Sequence, residues 1–130
     1  MVTDPIADFI VQLKNAGAVG KASVGIPYSN VTFAVAQLLK REGYVDEVSK
    51  RGKRGKKTIE VALRYDDDEP RITNVRRVSK PSRRVYWGVR DIRPVRQGHG
   101  LVVLSTPKGV ASGADARKSG VGGEVLFELW

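Results

Sequence analysis

The feature that most constrains the fold is a pair of short apolar runs, residues 101–104 and 125–127, that enclose a polar segment rich in glycine. Each run has the length of a strand and is too short for a core helix. The enclosed segment, residues 105–124, carries hydroxyls, lysines and glycines, and valines are its bulkiest core side chains. Two buried strands that hold up a polar segment are a common framework for a site.

The positive charge of the chain is concentrated in two segments. The net charge is +9, with 23 basic side chains against 14 acidic ones. Six of the basic residues lie in the run KRGKRGKK, residues 50–57, and nine more lie in residues 71–96, where Asp91 is the only acid. A chain tuned only for solubility would spread its charges more evenly. The distribution indicates a polyanionic partner, with nucleic acid first and an anionic membrane second.

Length and composition narrow the class of protein. The chain has 130 residues, no cysteine and a single histidine, His99. This length suits one compact domain or two very small ones. Without cysteine a disulfide framework is excluded, so a reducing compartment such as the cytoplasm is expected. No apolar run approaches the ~20 residues of a membrane span, and neither a metal nor a cofactor is expected.

The first half of the chain predicts the order helix, strand, helix, strand, strand. Apolar spacing and capping residues predict a helix over residues 4–16 that Gly17 ends, and a second over 30–42 that Ser29 caps and Gly43 ends. The apolar stripe of the second helix is predicted to be Val31, Ala34, Val35, Leu38 and Leu39. The predicted strands are residues 22–26, 44–48 and 58–65, and the last of these has Ile59, Val61, Leu63 and Tyr65 on one face.

An acidic run, residues 66–69, follows the last of these strands. Its spacing matches no calcium-binding loop, which needs alternating ligands around a central glycine. We interpret it as a solvated linker and place the domain boundary there. The expected domains are an N-terminal α/β domain, residues 1–66, and a C-terminal β-rich domain, residues 71–130. The fold class is therefore α+β.

The second half predicts strands with one short helix. Strands are expected at residues 72–78, 83–87, 101–105 and 124–130, and residues 89–100 are expected to be irregular. Ser112 and Asp115 have the spacing of a helix cap, so a helix is predicted over residues 113–119, with Gly120 as its end.

The motif Ser105-Thr106-Pro107-Lys108 matches the Ser-x-x-Lys nucleophile motif of serine β-lactamases. In those enzymes the serine opens a helix that brings the lysine beside it. Pro107 and Gly109 would interrupt such a helix, and no Lys-Thr-Gly element occurs in the chain. The cluster at residues 120–123 lacks the helix that follows a nucleotide-binding glycine loop. His99 lies in an irregular stretch, so no catalytic residue is expected.

An RNA-binding interpretation uses more of these features. Arginines flank Tyr86 and Trp87, and Tyr86 is either a ring that stacks on a base or a core residue of a strand. Ser105 and Thr106 are small hydrogen-bonding side chains that suit 2′-hydroxyls and base edges, which favours RNA over DNA. Gly122 and Gly123 would let a partner approach the backbone closely. No predicted helix has the basic face of a major-groove reader.

Four motifs resemble one known family. They are TDPIAD at residues 3–8, REGYV at 41–45, VSKPSRRVY at 78–86, and LSTPKG with ARKSGVGGE within 104–124. In this order and spacing they resemble the bacterial form of small-subunit ribosomal protein eight, over the whole chain. The resemblance implies a protein without enzymatic activity that binds the central domain of small-subunit rRNA directly and helps assemble it. It also implies two small α/β domains.

The resemblance further implies partners and contact residues. Implied partners are the rRNA, the fifth and twelfth proteins of the small subunit and, in some bacteria, the messenger of the protein's own operon. A membrane is not among them. The RNA-contacting residues carried over by the resemblance are Thr3, Asp4, Pro5, Lys14, Asn15, Ser29, Tyr86, Ser105, Thr106, Lys108, Gly122, Gly123 and Glu124. Lys53, Arg54 and Lys56 of the basic run are added as a candidate phosphate clamp, which is not a family motif.

The sequence departs from the family pattern at two places. Pro107 stands where the family usually has a serine, and SGAD at residues 112–115 replaces the usual helix start. Pro107 removes a hydroxyl and an amide donor, and it favours an extended Thr106. Two other functions stay open: a free-standing translational regulator that binds RNA or DNA, and an adaptor whose basic segments meet an acidic protein.

Overall fold

The computed structural model describes residues 4–52, 56–93 and 100–130. The chain divides into two compact units. The N-terminal unit is Pro5–Thr73, and the C-terminal unit is Asn74–Trp130 together with Asp4. Helices and antiparallel sheets occur side by side, which confirms the α+β class. None of the helices in these ranges has the length and apolar character needed to cross a lipid bilayer.

The N-terminal unit contains two helices, a three-stranded sheet and a small hairpin. In chain order its elements are α1 (Pro5–Ala18), β1 (Ser23–Pro27), α2 (Asn30–Arg41), β2 (Val45–Arg51), β3 (Thr58–Leu63), β4 (Tyr65–Asp66) and β5 (Glu69–Pro70). The main sheet has the order β1-β3-β2, and both pairings are antiparallel. The predicted order of helix, strand, helix, strand, strand is confirmed.

Helix α2 begins at the predicted residue and ends one residue before its predicted end, at Arg41. The Ser29 hydroxyl accepts a hydrogen bond of 3.1 Å from the Thr32 N–H, which satisfies a donor at the start of the helix. Gly43, just past the end, has φ +82, a conformation that few other residues adopt. One expected member of the apolar stripe is wrong: Val31 is 47% exposed, whereas Thr32 and Ala36 are buried.

Helix α1 continues past its predicted end at Gly17. Gly17 lies inside the helix and is buried, and a Cβ atom there would lie 3.0 Å from the Pro70 side chain. The helix ends instead at Ala18. Gly20, in the turn just beyond, has φ +77, and the Lys21 N–H donates to the Ala16 carbonyl oxygen at 2.9 Å. Glycine at position 17 thus allows close packing against Pro70 and does not end the helix.

The acidic run forms a tight hairpin rather than an open linker. Strands β4 and β5 pair through Tyr65 with Pro70 and Asp66 with Glu69. The two residues of the turn, Asp67 and Asp68, have φ +53 and +66, as a type I′ turn requires. Aspartate tolerates the left-handed region better than most residues. Asp67 and Asp68 are therefore suited to form this turn. The assignment of residues 1–66 and 71–130 as folding domains stays a prediction.

The C-terminal unit is an antiparallel sheet with one α-helix. Its elements are β6 (Val75–Arg77), β7 (Tyr86–Trp87), a 3₁₀ turn (Val89–Asp91), β8 (Leu101–Thr106), β9 (Gly109–Ser112), α3 (Gly113–Ser119) and β10 (Gly123–Leu129). The order in the sheet is β6-β10-β8-β9, and β7 also pairs with β10. Helix α3 begins at the predicted Ser112 cap, whose hydroxyl accepts from the Asp115 N–H at 3.1 Å.

Two sequence expectations for this unit are wrong. Strand β9 was not expected, and it follows β8 after a two-residue turn. The strands predicted over residues 72–78 and 83–87 are shorter, because the chain between them forms its own bridge from Lys80 to Arg83. The core of the unit contains Leu104 and Val125 from the two apolar runs, with Trp87 packed against it.

A nearly buried ion pair holds Asp4 in the C-terminal unit. Arg77 donates from Nε to Oδ2 of Asp4 at 2.9 Å and from Nη2 to Oδ1 at 3.2 Å. Its Nη1 donates to the Leu126 carbonyl oxygen. The Arg77 side chain is 11% exposed and that of Asp4 is 20% exposed. The two parallel bonds and the low exposure make this pair stronger than an ordinary surface ion pair.

Replacing Arg77 by methionine is expected to lower the free energy of unfolding by about 2 kcal/mol, between the values typical of exposed and of fully buried pairs. Urea denaturation followed by circular dichroism measures the change. Arg76→Met is the matched control, because Arg76 is exposed on the same strand. Equal unfolding midpoints for the two variants would contradict the role assigned to Arg77.

Candidate nucleic-acid interface

The segment predicted as a contact loop is a β-hairpin with a two-residue turn. Strands β8 and β9 pair up to Thr106 and Gly109, so that only Pro107 and Lys108 form the turn. The Thr106 hydroxyl donates to the Gly109 carbonyl oxygen at 2.7 Å and accepts from the Lys108 N–H at 3.1 Å. The turn is therefore closed by a side chain, and Lys108 lies exposed at its tip.

The hydroxyls of Ser105 and Thr106 are not equally available to a ligand. The Thr106 hydroxyl is used twice within the turn. Within the described part of the chain, the Ser105 side chain makes no hydrogen bond, and the residue is half-buried. Ser105 is thus the hydroxyl of the pair that can bond a partner without disturbing the hairpin.

Three of the expected contact residues lie in one row across three strands. Glu124 of β10 stands directly opposite Tyr86 of β7 on one side and opposite Ser105 of β8 on the other. Directly opposed residues of antiparallel strands project from the same face of the sheet. Residues far apart in sequence are therefore neighbours on one face, which we call the Tyr86 row: Tyr86, Glu124 and Ser105.

Neighbouring aromatic residues of β7 point in opposite directions. Tyr86 is 67% exposed, whereas Trp87 packs against the core of the unit. Of the two interpretations of Tyr86, packing in the core is excluded by this exposure. Its ring has the accessible face that base stacking requires.

Glu124 holds the segment before β7 against the sheet. Its Oε2 accepts hydrogen bonds from the hydroxyl of Ser79 and from Nη1 of Arg84, the latter at 3.0 Å. Ser79 is fully buried, and its oxygen also accepts from the Val85 N–H at 3.2 Å. The carboxylate thereby fixes the strand that carries Tyr86. A direct contact between Glu124 and RNA stays a prediction.

Gly122, just before β10, and Gly123, its first residue, are approached closely by the backbone of neighbouring strands. A Cβ atom at Gly122 would overlap the Trp87 carbonyl oxygen, and one at Gly123 would overlap the Ser105 carbonyl oxygen. Neither glycine has a positive φ, so lack of space rather than backbone conformation demands glycine. The close approach expected of a partner is made by neighbouring strands, and RNA contacts at these glycines stay predictions.

The expected contact residues of the N-terminal unit lie at separate places. Pro5 and Ser29 both line a cavity of about 360 Å³ beside α1. Lys14 and Asn15 belong to the last turns of α1, about 15 Å along the helix from Pro5 at a rise of 1.5 Å per residue. Lys56 is exposed just before β3. Three expected residues lie outside the described ranges: Thr3, Lys53 and Arg54.

Sequence reasoning missed a second group of basic and aromatic side chains, in the N-terminal unit. The Lys50 ammonium lies 5.0 Å from the ring centre of Tyr28 and 4.8 Å from that of Phe33. The Lys57 ammonium lies 6.0 Å from the Tyr28 ring. The basic run indicated the lysines, but the aromatic pair comes from a different segment. We call Tyr28, Phe33, Lys50, Lys56 and Lys57 the Tyr28 cluster.

The Ser-x-x-Lys motif does not have the geometry of a catalytic pair. Ser105 is in a strand and Lys108 is in the turn that follows, whereas the enzymes with this motif place both on one helix. His99, the other residue considered for catalysis, lies outside the described ranges. Within those ranges, no three side chains of histidine, aspartate or glutamate come together as a metal-binding group.

Comparison with known proteins gives one consistent family. Residues 4–130 match the family described as Ribosomal protein S8. A protein of Persephonella marina (strain DSM 14350 / EX-H1), named small ribosomal subunit protein uS8, is 45% identical over 136 residues that cover 100% of both chains. Proteins of the same name from Burkholderia cenocepacia (strain HI2424) and Burkholderia vietnamiensis (strain G4 / LMG 22486) are 46% identical, covering 96% of this chain and 95% of theirs.

Proposed function

Since the chain belongs to the ribosomal protein S8 family, we propose that it is a structural component of the small ribosomal subunit. In this proposal it binds the central domain of small-subunit rRNA directly and helps that domain assemble. The names of the relatives support the place in the small subunit. The family is not an enzyme family. The resemblance found in the sequence motifs is thus confirmed at the level of the family.

The observation that carries the RNA-binding proposal is the Tyr86 row. An exposed ring, an unused hydroxyl and the Lys108 turn belong to one sheet. A ring can stack on an unpaired base, Ser105 can bond a 2′-hydroxyl or a base edge, and Lys108 can neutralise a phosphate. These three contacts suit an irregular RNA stem, in which bases are accessible next to a continuous backbone.

Charge near the row supports the same proposal. Lys80 and Arg83 are exposed in the segment that leads to β7, and Arg90 is exposed beyond it. Arg84, by contrast, is paired with Glu124. Basic side chains near the Tyr86 row attract RNA to it and increase its affinity. This added affinity falls with salt: log affinity against log salt concentration has a slope of roughly −0.7 to −0.9 per phosphate contact.

The finer parts of the proposal concern location and partners. We place the protein in the cytoplasm within small subunits, beside the fifth and twelfth proteins of that particle. Repression of its own operon's messenger is a further part of the proposal, because an mRNA that mimics the rRNA stem would meet the same row.

Binding to rRNA tests the proposal directly. Filter-binding titration of the purified chain should show tight binding to a central-domain stem fragment and at least tenfold weaker binding to a fully paired stem of equal length. Equal affinity for the two RNAs would refute recognition of an irregular stem. Co-sedimentation tests the place of action: protein found only free of small subunits would favour the free-standing regulator instead.

A further inference from the structure

The Tyr28 ring is held in place from several sides. Its backbone N–H donates to the Lys57 carbonyl oxygen at 3.1 Å, which ties it to the residue before β3. Its hydroxyl donates to Oδ1 of Asn30 at 2.9 Å. The ring packs against Phe33 with centres 5.8 Å apart and planes tilted by 42°. A ring fixed in this way loses little freedom when a ligand stacks on it.

The lysines of the Tyr28 cluster form no ion pair with a carboxylate in the part of the chain that the structure describes. All 14 acidic residues of the chain lie in the described ranges. Within those ranges no carboxylate forms an ion pair with Lys50, Lys56 or Lys57, although nearby Arg51 pairs with Glu60 at 3.0 Å. Lys50 and Lys57 therefore hold exposed ammonium groups beside the aromatic pair, and the exposed Lys56 adds a third charge next to Lys57 in sequence. None of the three has a carboxylate partner among the described residues.

An open groove of about 520 Å³ lies beside Tyr28, Lys56 and Lys57. It is lined by Pro27, Tyr28, Lys56, Lys57 and Thr58. A proline ring and a tyrosine ring provide flat apolar walls, and lysines and a threonine hydroxyl provide polar contacts. Flat apolar surface beside several cations is the combination that a nucleotide needs, because its base stacks while its phosphate pairs.

We propose that the Tyr28 cluster is a second RNA site, which binds a single-stranded segment by stacking a base on Tyr28 and pairing its phosphates with Lys50, Lys56 and Lys57. The proposal rests on the proposed function only in assuming that the protein works with RNA. A base inside a double helix cannot reach the ring, so single strands are preferred over duplexes. An acidic peptide would use the lysines but not the ring.

The cation–ring contacts do not block this site. Lys50 and Lys57 are exposed side chains on long flexible stems, and their contacts with the ring are of the weak, solvent-exposed kind. When a base covers the ring, each ammonium can move to the phosphate on either side. The free protein thus holds its cations next to the place where phosphates arrive.

The first test measures the ring. A labelled single-stranded oligouridylate of about ten nucleotides, a length within the range of single-strand sites, is titrated with the full chain by fluorescence anisotropy. Tyr28→Leu is expected to bind roughly 5- to 150-fold more weakly, the loss typical of one stacked base. Tyr28→Phe keeps the ring and is expected to bind within about twofold of wild type. Equal binding by Tyr28→Leu and wild type would overturn the proposal.

The second test measures how much each lysine contributes to the salt dependence of binding. It leaves the packed Tyr28 ring unchanged. Lys50→Ala and Lys57→Ala should each lower the slope of log affinity against log salt by about 0.7, the value for single strands. Lys21→Ala is the matched control, because it removes one exposed charge at the opposite end of β1. Equal slope changes for Lys21→Ala and Lys57→Ala would show diffuse attraction and overturn the site.

The two proposed RNA sites are distinguished by the RNA that is used in the titration, the rRNA stem or the oligouridylate. Ser105→Ala should weaken binding to the rRNA stem and leave the oligouridylate affinity unchanged. A wild-type chain that binds the stem but not the oligouridylate refutes the second site and leaves the proposed function intact. Preference for polyglutamate or for phosphatidylserine vesicles over the oligouridylate, with equal loss for Tyr28→Leu and Tyr28→Phe, would likewise refute it.

Discussion

Gly123→Ala is expected to lower the free energy of unfolding by about 3 kcal/mol, the upper part of the range for added atoms in a packed interior. The new methyl group would overlap the Ser105 carbonyl oxygen and crowd the Cα of Thr106. These are backbone atoms of β8, so no side chain can rotate away. The sheet must open between β8 and β10, the two strands that contribute Leu104 and Val125 to the core of the C-terminal unit.

A matched control distinguishes the steric effect of the added methyl group from the general effect of replacing a glycine. Gly120 ends α3 with φ +69, and nothing lies within 4 Å of a Cβ atom added there. Gly120→Ala therefore costs only the left-handed backbone conformation, about 1–2 kcal/mol. Urea denaturation of both variants gives the comparison. A Gly123→Ala protein as stable as Gly120→Ala would contradict the steric argument.

Stability and RNA binding are coupled at this position. Gly123 precedes Glu124 and stands opposite Trp87, so the distortion reaches the Tyr86 row directly. The variant should lose affinity for the rRNA stem even in conditions where most molecules are folded. Its affinity for the oligouridylate should change less, because the Tyr28 cluster belongs to the other unit.

The parts of the fold that the sequence predicts are those set by local interactions. The caps at Ser29 and Ser112 and the glycine ends at Gly43 and Gly120 act within a few residues of the chain. Local hydrogen bonds and backbone conformation decide them, so one segment is enough to find them. The helices α2 and α3 were accordingly predicted within one residue.

The parts that the sequence misses depend on distant residues. Gly17 resembles a helix end until Pro70 is placed against it. Strand β9 is short and half-exposed, and only pairing with β8 makes it a strand. The helix end and the strand are both decided by packing between segments, which overrides local preference.

The Tyr86 row could be expected only in part. Motifs identified Tyr86, Ser105 and Glu124 as separate contacts, but their alignment depends on the register of three strands. That register includes a shift between Val125 and Phe127 of β10. A shift by one residue moves each side chain to the other face. No local sequence pattern specifies where this register shift falls, so the alignment of the three residues could not be predicted from the sequence.

Tyr86→Leu is expected to weaken binding to the rRNA stem by roughly 5- to 150-fold, which corresponds to about 1–3 kcal/mol of lost base stacking. The ring is 67% exposed, so its removal exposes no core, and strand preference changes stability by at most about 1 kcal/mol. Filter binding at fixed salt measures the affinity. Thermal unfolding of the same samples shows whether the fold is retained.

Two further variants test whether Tyr86 acts by stacking on a base. Tyr86→Phe keeps the stacking face and should stay within about twofold of wild type. Combining Tyr86→Leu with Ser105→Ala tests whether the row binds as a unit, because residues that touch one ligand lose affinity non-additively. Two independent contacts would give a strict sum of the single losses. If Tyr86→Leu binds the stem as tightly as wild type, the row is not the RNA-binding face, whatever the other variants do.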